Sequence, residues 1–428
     1  MINPIIREDL LYYLWKTKRF DNNNLVTTSG QTVRIIDFGH QNYDAGPDFS
    51  NARIVIDDIE WVGNAEMHVY SSDWERHGHD LDIAYDNVIL HIVFEDDKEV
   101  RTTTEQLIPC IELKNLINPT IKSNYAKLIN NHSWIPCEKS LNTVPLHTTS
   151  FWLQRLIAER LESKSEYLKT ILEQTNNNWE ETTYIFLARY MGARVNVEPF
   201  EILAKNLPLS TIIKNKDNMI KIEALLFGQA GMLNANYLDD YFVQLKNEYQ
   251  FLSKKYSLKN IPSVSWKFAR MRPAGFPTIR IAQFAAIMYN TSHLFSAILN
   301  SESIDEIINI IKVTPNEYWN DHYRFGKVSI QREKTIGDSF IKSIIINVIC
   351  PILFLYGKSI GQDKYCERAI AYLENLKSEK NAIVSKYKTL GISCKSAADS
   401  QALLQLKKQY CDKKKCLSCR IGNKIISK

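Results

Sequence analysis

The stretch Gly39–Asp97 decides the fold of the N-terminal part of this chain, and it reads GHQNYDAGPDFSNARIVIDDIEWVGNAEMHVYSSDWERHGHDLDIAYDNVILHIVFEDD. Short apolar runs alternate with polar turns, which is typical of a small β-sheet. Asp48 stands at the start of one predicted strand, and Glu66 and His68 lie in the next. A spacing of two puts Glu66 and His68 on the same face of a strand. We therefore expect Asp48 and Glu66 to meet at one point of the sheet.

Helix and strand patterns around this stretch complete an N-terminal domain. The predicted elements are a helix over 5–18, strands over 33–38, 52–56 and 61–69, a short helix within 71–86 that Ser72 or Asp73 caps, and a central strand over 87–94. From Phe151 onward, apolar residues recur at helical spacing and strand signals almost vanish. We therefore predict an α/β domain over residues 1–148, a mostly α-helical domain over 149–392, and a Cys- and Lys-rich segment over 393–428.

Composition is that of a globular protein of the cytoplasm. The chain has 428 residues, of which 45% are hydrophobic, so it can bury a sizeable core. The formal net charge of +5 is too small to demand a polyanionic partner. Charged residues interrupt the first twenty positions, and no uninterrupted apolar run reaches about 18 residues, the length of a membrane span. We therefore expect a cytoplasmic protein that is not inserted in a membrane.

Two carboxylates that meet on a sheet predict a divalent-metal site. Hard cations such as Mg²⁺ and Mn²⁺ prefer carboxylate oxygens, and Asp48 and Glu66 would supply two of them. A cation held there lowers the pKa of its bound water and activates that water against a phosphodiester. The alternatives are that Asp48 caps backbone groups of a turn and that Glu66 lies on a solvated strand face.

The same residues resemble the motif of the PD-(D/E)XK nucleases, the restriction-endonuclease-like superfamily. Pro47-Asp48 matches the first half of that motif, and Glu66-Met67-His68 matches the second half, with His in place of Lys. Many members also carry a glutamate on their first helix, where this chain has Glu8. The resemblance covers about residues 5–97. It implies a restriction-endonuclease-like αβββαβ fold and Mg²⁺- or Mn²⁺-dependent cleavage of nucleic acid, with DNA expected before RNA.

His68 departs from the superfamily pattern, and the departure leaves several functions open. A neutral imidazole could act as a general base, which a charged Lys cannot. It could instead ligate the metal and shift the preference toward Mn²⁺ or Zn²⁺. The substitution could also mark a loss of catalysis. The competing functions are an inactive nucleic-acid-binding or scaffold protein that keeps the fold, and a hydrolase of another phosphoester.

Basic residues indicate where nucleic acid would bind. Arg270, Arg272 and Arg280 are interleaved with aromatic residues, a combination that suits phosphate contacts and base stacking. His77, in the polar segment after the Glu66 strand, could approach the phosphate or the metal. His77 and His79 are two residues apart and cannot share a helix face. The alternatives are a hydrated loop and an Arg-rich helix junction that pairs with internal carboxylates.

The C-terminal cysteines predict a second metal site. In a reducing cytoplasm, grouped cysteines favour metal binding over disulfides. Cys411, Cys416 and Cys419 follow the spacing C-x4-C-x2-C, and Cys394 upstream would complete a set of four thiolates. Four thiolates hold Zn²⁺ in a tetrahedron or an iron–sulfur cluster. The alternative is three reduced cysteines packed in a small hairpin.

The whole chain also resembles an uncharacterised bacterial family of unknown function. The segments GPDF, GNAEMHV, SSDWERHGH and YDNVILHIV are similar to the hallmark sequences of that family. This resemblance extends beyond the N-terminal domain, but it implies no activity.

Overall fold

A computed structural model describes residues 6–258 and 266–428 of the chain. Contacts between Cα atoms divide the chain into two compact units. Unit 1 consists of Met1–Leu153, Ser385–Ile392 and Leu403–Lys428, and unit 2 consists of Gln154–Val384 and Ser393–Ala402. The predicted division into three consecutive domains is a different partition and stays a prediction. Ile5, the first position of the predicted N-terminal helix, lies outside the described residues.

Among the described residues, unit 1 is built on one sheet of seven strands. The strands are β1 Leu25–Val26, β2 Thr32–Asp37, β3 His40–Gln41, β4 Phe49–Ile56, β5 Ile59–Tyr70, β6 Val88–Glu95 and β7 Cys110–Glu112. Their order across the sheet is β1-β2-β4-β5-β6-β7, and β3 pairs with β4. The first four of these are antiparallel neighbours, whereas β6 runs parallel to both β5 and β7. Strand β6 is therefore central, and its residues are buried from Val88 to Phe94.

The prediction of a mixed α/β region with an N-terminal sheet is confirmed, and the predicted helix, strands and short helix occur in the predicted order within a sheet that has three further strands. Helix α1 is Glu8–Thr17 and helix α2 is Asp73–Arg76, while β2, β4, β5 and β6 are the predicted strands. Strands β1, β3 and β7 were not predicted, because two or three residues are too few to show an alternating pattern. The predicted cap of α2 is wrong. Ser72 precedes the helix without a capping bond, and its hydroxyl donates instead to the Asp97 carboxylate over 2.8 Å.

Helix α1 is fixed on the sheet by a continuous apolar face. Leu10, Leu11, Leu14 and Trp15 are completely buried, and the helix contacts β5 and β6. Each such burial contributes about 1.5–3 kcal/mol relative to an exposed side chain. The Trp15 indole Nε1 donates to the Phe38 carbonyl over 2.9 Å, which satisfies its polar atom. The same packing determines where Glu8, in the first turn, is held.

The rest of the described chain is mainly helical, as the periodicity predicts. The helices are α3 Pro119–Ile129, α4 Leu146–Gln174, α5 Trp179–Met191, α6 Val197–Asn206, α7 Leu209–Ile213, α8 Met219–Gln229, α9 Asp240–Lys255, α10 Pro277–Asn290, α11 Leu294–Asn300, α12 Ile304–Ile311, α13 Asp338–Ile344, α14 Cys350–Ser359, α15 Asp363–Asn375, α16 Ala382–Thr389, α17 Ala397–Gln405 and α18 Arg420–Ile426. One small hairpin, β8 His322–Arg324 with β9 Lys327–Val328, interrupts them in unit 2.

One continuous helical segment of unit 2 is unusually apolar. Helices α13 and α14 join through a π-helical turn, Ile345–Ile349, and together span Asp338–Ser359. By length and composition this is the one helix of the described ranges that could cross a membrane. Its most apolar stretch is 67% buried, and a buried core helix of a soluble protein has the same properties.

Candidate metal centre

Asp48, directly before β4, and Glu66, on β5, are linked by hydrogen bonds between side chain and backbone. Glu66 Oε2 accepts a hydrogen bond from the Asp48 N–H over 2.8 Å, and Asp48 Oδ2 accepts from the Met67 N–H over 3.0 Å. The pairing of Phe49 with Ala65 sets this register, and the ladder shifts directly after it. Asn51, within the shift, has a φ of +58°. Each side chain therefore accepts a hydrogen bond from the backbone at or beside the other residue, and a metal site between the two stays a prediction.

His68 lies on the same face of the sheet as Glu66, and its ring is held by a hydrogen bond to a second histidine. Its Nδ1 lies 2.9 Å from Nε2 of His91, which projects from the neighbouring strand β6 and is completely buried. His91 is therefore a hydrogen-bonded core histidine. If His68 donates from Nδ1, its Nε2 carries a lone pair, and that atom lies 3.8 Å from Glu66 Oε1. Such a partner on the other ring nitrogen is what orients histidines that ligate metals.

His77 and His79 converge on His68 although they are only two residues apart. His77 directly follows α2, Gly78 adopts a φ of +76°, and His79 begins a short 3-10 turn. The left-handed glycine reverses the local direction of the chain, so the two rings reach one point without sharing a helix face. The prediction of separate helix faces is correct, but it did not foresee this convergence.

The three histidines form a site that could hold a metal ion. One ring nitrogen each from His68, His77 and His79 lies within 4.8 Å of the others, the only such group of possible ligands in the described residues. His68 Nε2 and His77 Nδ1 are 3.1 Å apart, and His79 Nε2 is 3.4 Å from Glu66 Oε1. His77 is exposed while His68 and His79 are buried, so the triad opens to solvent at one corner. Glu66 thus faces Asp48 with one oxygen and the triad with the other.

Burial is the main cause of the unusual acidities of the two carboxyl groups. Burial, partly offset by hydrogen bonds from Tyr12 and Met67, raises the pKa of Asp48 to about 6. Burial, followed by the charge of Asp48, raises the pKa of Glu66 to about 8. A cation bound between the two groups would reverse both effects, because it stabilises the ionised forms.

The buried histidines are shifted in the opposite direction. Burial, followed by the neighbouring His91, holds the pKa of His68 far below its ordinary value. Burial lowers the pKa of His91 to about 3, and burial followed by the charge of His77 also lowers the pKa of His79. These rings are therefore neutral at pH 7, and neutral imidazole is the form that binds metals.

Helix α1 contributes two further groups to the site. Glu8 is half-buried, and burial raises its pKa, while the charge of His77 lowers it. The Tyr12 hydroxyl lies beside the Asp48 carboxylate. Glu8 was predicted; Tyr12 was not. The spacing between Glu8 and Tyr12 could have indicated Tyr12, because residues four apart share one face of a helix.

The predicted arginines lie in unit 2 and differ in their surroundings. Arg270 and Arg272 are exposed, which keeps them available to a polyanion. Arg280 donates to Gln283 Oε1 over 2.9 Å and stacks 3.5 Å above the Phe340 ring, and burial lowers its pKa to about 10. Its partners are thus an amide and an aromatic ring rather than the internal carboxylates of the alternative interpretation.

The predicted cysteine ligands fall into both units. Cys411, Cys416 and Cys419 belong to unit 1, and Cys394 belongs to unit 2. Cys394 Sγ lies 4.0 Å from the Ser396 carbonyl oxygen. All eight cysteines are free thiols. The participation of Cys394 stays a prediction.

Comparison with known proteins identifies the family but not an activity. Residues 8–382 match the family described as "Protein of unknown function (DUF2851)". The chain belongs to this family. The match covers most of the chain, which confirms the whole-chain resemblance noted in the sequence. No curated protein and no solved structure matches the chain. A family of unknown function assigns no activity, so the function of this DUF2851 member has to follow from the chemistry of its site.

The acidity of Glu66 predicts how stability depends on pH. A folded-state pKa of about 8 lies above the unfolded value of about 4.3, so the protonated carboxyl stabilises the fold at low pH. That contribution is lost progressively as the pH rises from about 4.3 through 8. Without divalent cations, Glu66→Gln should therefore raise the free energy of unfolding at pH 8 by about 2 kcal/mol or more. The gain should shrink as the pH falls toward 5.

Denaturant unfolding in EDTA at several pH values measures this difference. Asp58→Asn is the matched control, because Asp58 is an exposed carboxylate in the turn between β4 and β5. A saturating divalent cation should reverse the order, since it binds the carboxylate and not the amide. The prediction would be contradicted if the free energies of unfolding of wild type and Glu66→Gln differed by the same amount at every pH.

Proposed function

We propose that the protein is a divalent-metal-dependent nuclease that hydrolyses phosphodiester bonds of nucleic acid. The observation that carries the proposal is the convergence of Asp48, Glu66 and the histidine triad on one solvent-open point of the sheet. A cation bound there supplies an activated water and neutralises charge on a phosphate. Glu8 lies near enough to modulate the charge of this site, as the superfamily resemblance implies.

The fold of unit 1 is consistent with this proposal. Helix α1, the antiparallel strands β2, β4 and β5, helix α2 and the parallel strand β6 follow the αβββαβ order of restriction-endonuclease-like enzymes. Asp48 directly precedes β4 and Glu66 lies within β5, which supports assigning them to the two halves of the PD-(D/E)XK motif. This likeness of topology raises the expectation of nuclease chemistry by analogy only.

The donor set favours Mn²⁺ over Mg²⁺, the two cations that the carboxylates predict. Glu66 offers oxygen, while His68 and His79 offer nitrogen within 3.8 Å and 3.4 Å of the same Glu66 oxygen. Mg²⁺ prefers oxygen ligands alone, whereas Mn²⁺ accepts both oxygen and imidazole. We therefore propose that the site binds Mn²⁺ more tightly than Mg²⁺. Nucleic acid, with DNA before RNA, is the proposed partner, and exposed Arg270 and Arg272 are proposed to contact its phosphates.

His68 is proposed to ligate the metal rather than to abstract a proton. A general base works best with a pKa near the operating pH, and burial holds the pKa of His68 far below it. Its Nδ1 is occupied by His91, while its Nε2 faces His77 and Glu66. A metal ligand needs only the lone pair of Nε2, which a bound cation would take in place of the contact with His77.

One observation favours the second candidate, an inactive protein that binds nucleic acid or acts as a scaffold. Both nitrogens of His68 already have partners in His91 and His77, and no lysine stands where the nuclease motif has one. Such a protein would bind nucleic acid without cleaving it.

The test is an assay of purified protein on double-stranded, single-stranded and branched DNA and on RNA, with EDTA, Mg²⁺, Mn²⁺ or Zn²⁺. We expect cleavage that requires a divalent cation and is fastest with Mn²⁺. Binding without cleavage under all conditions supports the scaffold candidate. Cleavage that persists in EDTA would overturn the assignment of the metal site.

A further inference from the structure

Two separate segments of unit 2 build a basic surface. One segment is 266–280, which leads into helix α10, and the other is 322–334, which contains the β8–β9 hairpin. Six of their cationic side chains are exposed, and together we call them the basic surface: Lys267, Arg270, Arg272, Arg324, Lys327 and Arg332. Of the six, Arg270 and Arg272 are among the residues that the sequence predicts to bind nucleic acid.

Direct contacts join the two segments. The Arg324 guanidinium of β8 lies 4.3 Å from the ring centroid of Phe268 and 4.8 Å from that of Phe276. The Thr278 hydroxyl of α10 donates a hydrogen bond to the Tyr323 carbonyl over 2.6 Å. The hairpin is therefore fixed against the first segment, and the cations of both segments belong to one continuous part of unit 2.

The positive charge of the basic surface is not neutralised within it. Segment 266–280 has no acidic residue, and segment 322–334 has one, Glu333, whose carboxylate accepts hydrogen bonds from the Thr314 and Thr335 hydroxyls. Asp321, directly before the hairpin, lies 2.6 Å from His322 Nδ1. Both carboxylates thus have other partners, and within the described residues no ion pair includes any of the six cations. Uncompensated positive charge of this kind attracts anions.

The chemistry of the basic surface fits phosphate groups better than bases. Four of the six cations are arginines, whose planar guanidinium binds phosphate oxygens in pairs. Arg324 lies over the rings of Phe268 and Phe276, so it occupies ring faces that could otherwise stack on bases. This stacking also holds the guanidinium in place before a ligand arrives, which reduces the entropy lost on binding.

The apolar residues of the hairpin do not fit a membrane. Surfaces that bind lipid bilayers bury an extended apolar face in the headgroup region. The hairpin segment exposes Val328 and Ile330 between its cations. Two separate aliphatic side chains do not form an extended face. A two-stranded hairpin has instead the width that the major groove of duplex DNA admits.

We propose that the basic surface binds the phosphate backbone of duplex DNA, independently of base sequence and of the metal centre. The inference rests on the proposed function in taking nucleic acid as the substrate. It adds the place and the mode of binding, and it assigns half of the binding cations, Arg324, Lys327 and Arg332, to the segment of the β8–β9 hairpin.

The experiment measures binding of the full-length protein to a short labelled DNA duplex by fluorescence anisotropy. EDTA is present, so that metal-dependent cleavage cannot destroy the probe. Each phosphate that a cation neutralises contributes about −0.9 to the slope of log affinity against log salt concentration, so six contacts predict a slope of about −5. Duplexes of unrelated sequence should bind equally, because phosphate contacts carry no sequence information.

A double substitution in the hairpin segment tests its part in the basic surface. Lys327→Ala combined with Arg332→Ala should weaken binding and reduce the slope by about 2, because two phosphate contacts are lost. Lys169→Ala combined with Lys364→Ala is the control, since it removes two exposed cations from α4 and α15, and it should bind like wild type. Thermal unfolding verifies that both double variants are folded.

Several outcomes would overturn the proposal. A slope near zero in the wild type is one, and it needs no variant. Equal slopes in the two double variants are another. Binding to phosphatidylserine vesicles without binding to the duplex would assign the basic surface to a membrane instead.

Cleavage assays separate this proposal from the nuclease function. Duplex binding in EDTA that depends on the hairpin cations, without cleavage in Mn²⁺, would retain the basic surface and refute the nuclease. Cleavage in Mn²⁺ together with unaltered duplex binding by the hairpin variant would retain the nuclease and refute the basic surface.

Discussion

Asp48→Asn is expected to reduce the rate of metal-dependent nucleic-acid cleavage about a thousandfold. The change removes one anionic ligand, and a metal ion supplies several kcal/mol of transition-state stabilisation, which corresponds to a factor of this size. Asparagine keeps a side-chain oxygen that can accept a hydrogen bond from the Met67 N–H, so this hydrogen bond should survive the substitution. The fall should therefore be chemical in origin and not a consequence of unfolding.

Initial rates with Mn²⁺, together with thermal unfolding, measure the effect. Asp58→Asn makes the same chemical change at an exposed turn and should keep the wild-type rate. An unchanged rate in Asp48→Asn would remove Asp48 from the catalytic site. If the rate falls and the unfolding temperature also falls well below that of the wild type, the substitution has damaged the fold instead.

The acidic pair was predictable because its signals are local. A residue at a strand start and a residue within the next strand are close in sequence, and the turn at Asp57 and Asp58 pairs β4 with β5 directly. The alternation of β5 also placed Glu66 and His68 on one face. Periodicity and turn chemistry therefore sufficed for this half of the site.

The histidine triad could not be predicted from periodicity and turn chemistry. The convergence of His77 and His79 depends on the left-handed conformation of Gly78, which the sequence His-Gly-His permits but does not require. The support of His68 by His91 depends on the parallel pairing of β5 with β6. That pairing follows from sheet topology and not from spacing along the chain.

The cysteine ligands remain a prediction from spacing. The spacing of Cys411, Cys416 and Cys419 indicates a shared centre, and Cys394 upstream would complete a set of four thiolates. The structure places the first three in unit 1 and Cys394 in unit 2. Spacing along the chain cannot tell which cysteine the fold would supply as the fourth ligand.

His68→Ala is expected to weaken Mn²⁺ binding about a hundredfold or more. Outer partners of metal ligands are worth about 10- to 100-fold in affinity, so a direct ligand should be worth at least the upper value. His77→Ala should weaken binding similarly, since its Nδ1 lies 3.1 Å from His68 Nε2 in the same triad. His40→Ala, which changes an exposed histidine of β3, is the control and should bind like wild type.

Rate and affinity together decide what His68 does. A ligand role predicts that excess Mn²⁺ restores cleavage in both His68→Ala and His77→Ala. A general-base role predicts instead that His68→Ala binds Mn²⁺ normally and loses about 10²-fold or more in rate at every Mn²⁺ concentration.

His68→Lys restores the residue of the nuclease motif. It should replace the imidazole ligand by a fixed positive charge, which lowers the affinity for Mn²⁺. Wild-type rate and wild-type affinity in His68→Ala would contradict both roles, because the ring that β5 directs toward Glu66 would then serve only to pack against His91.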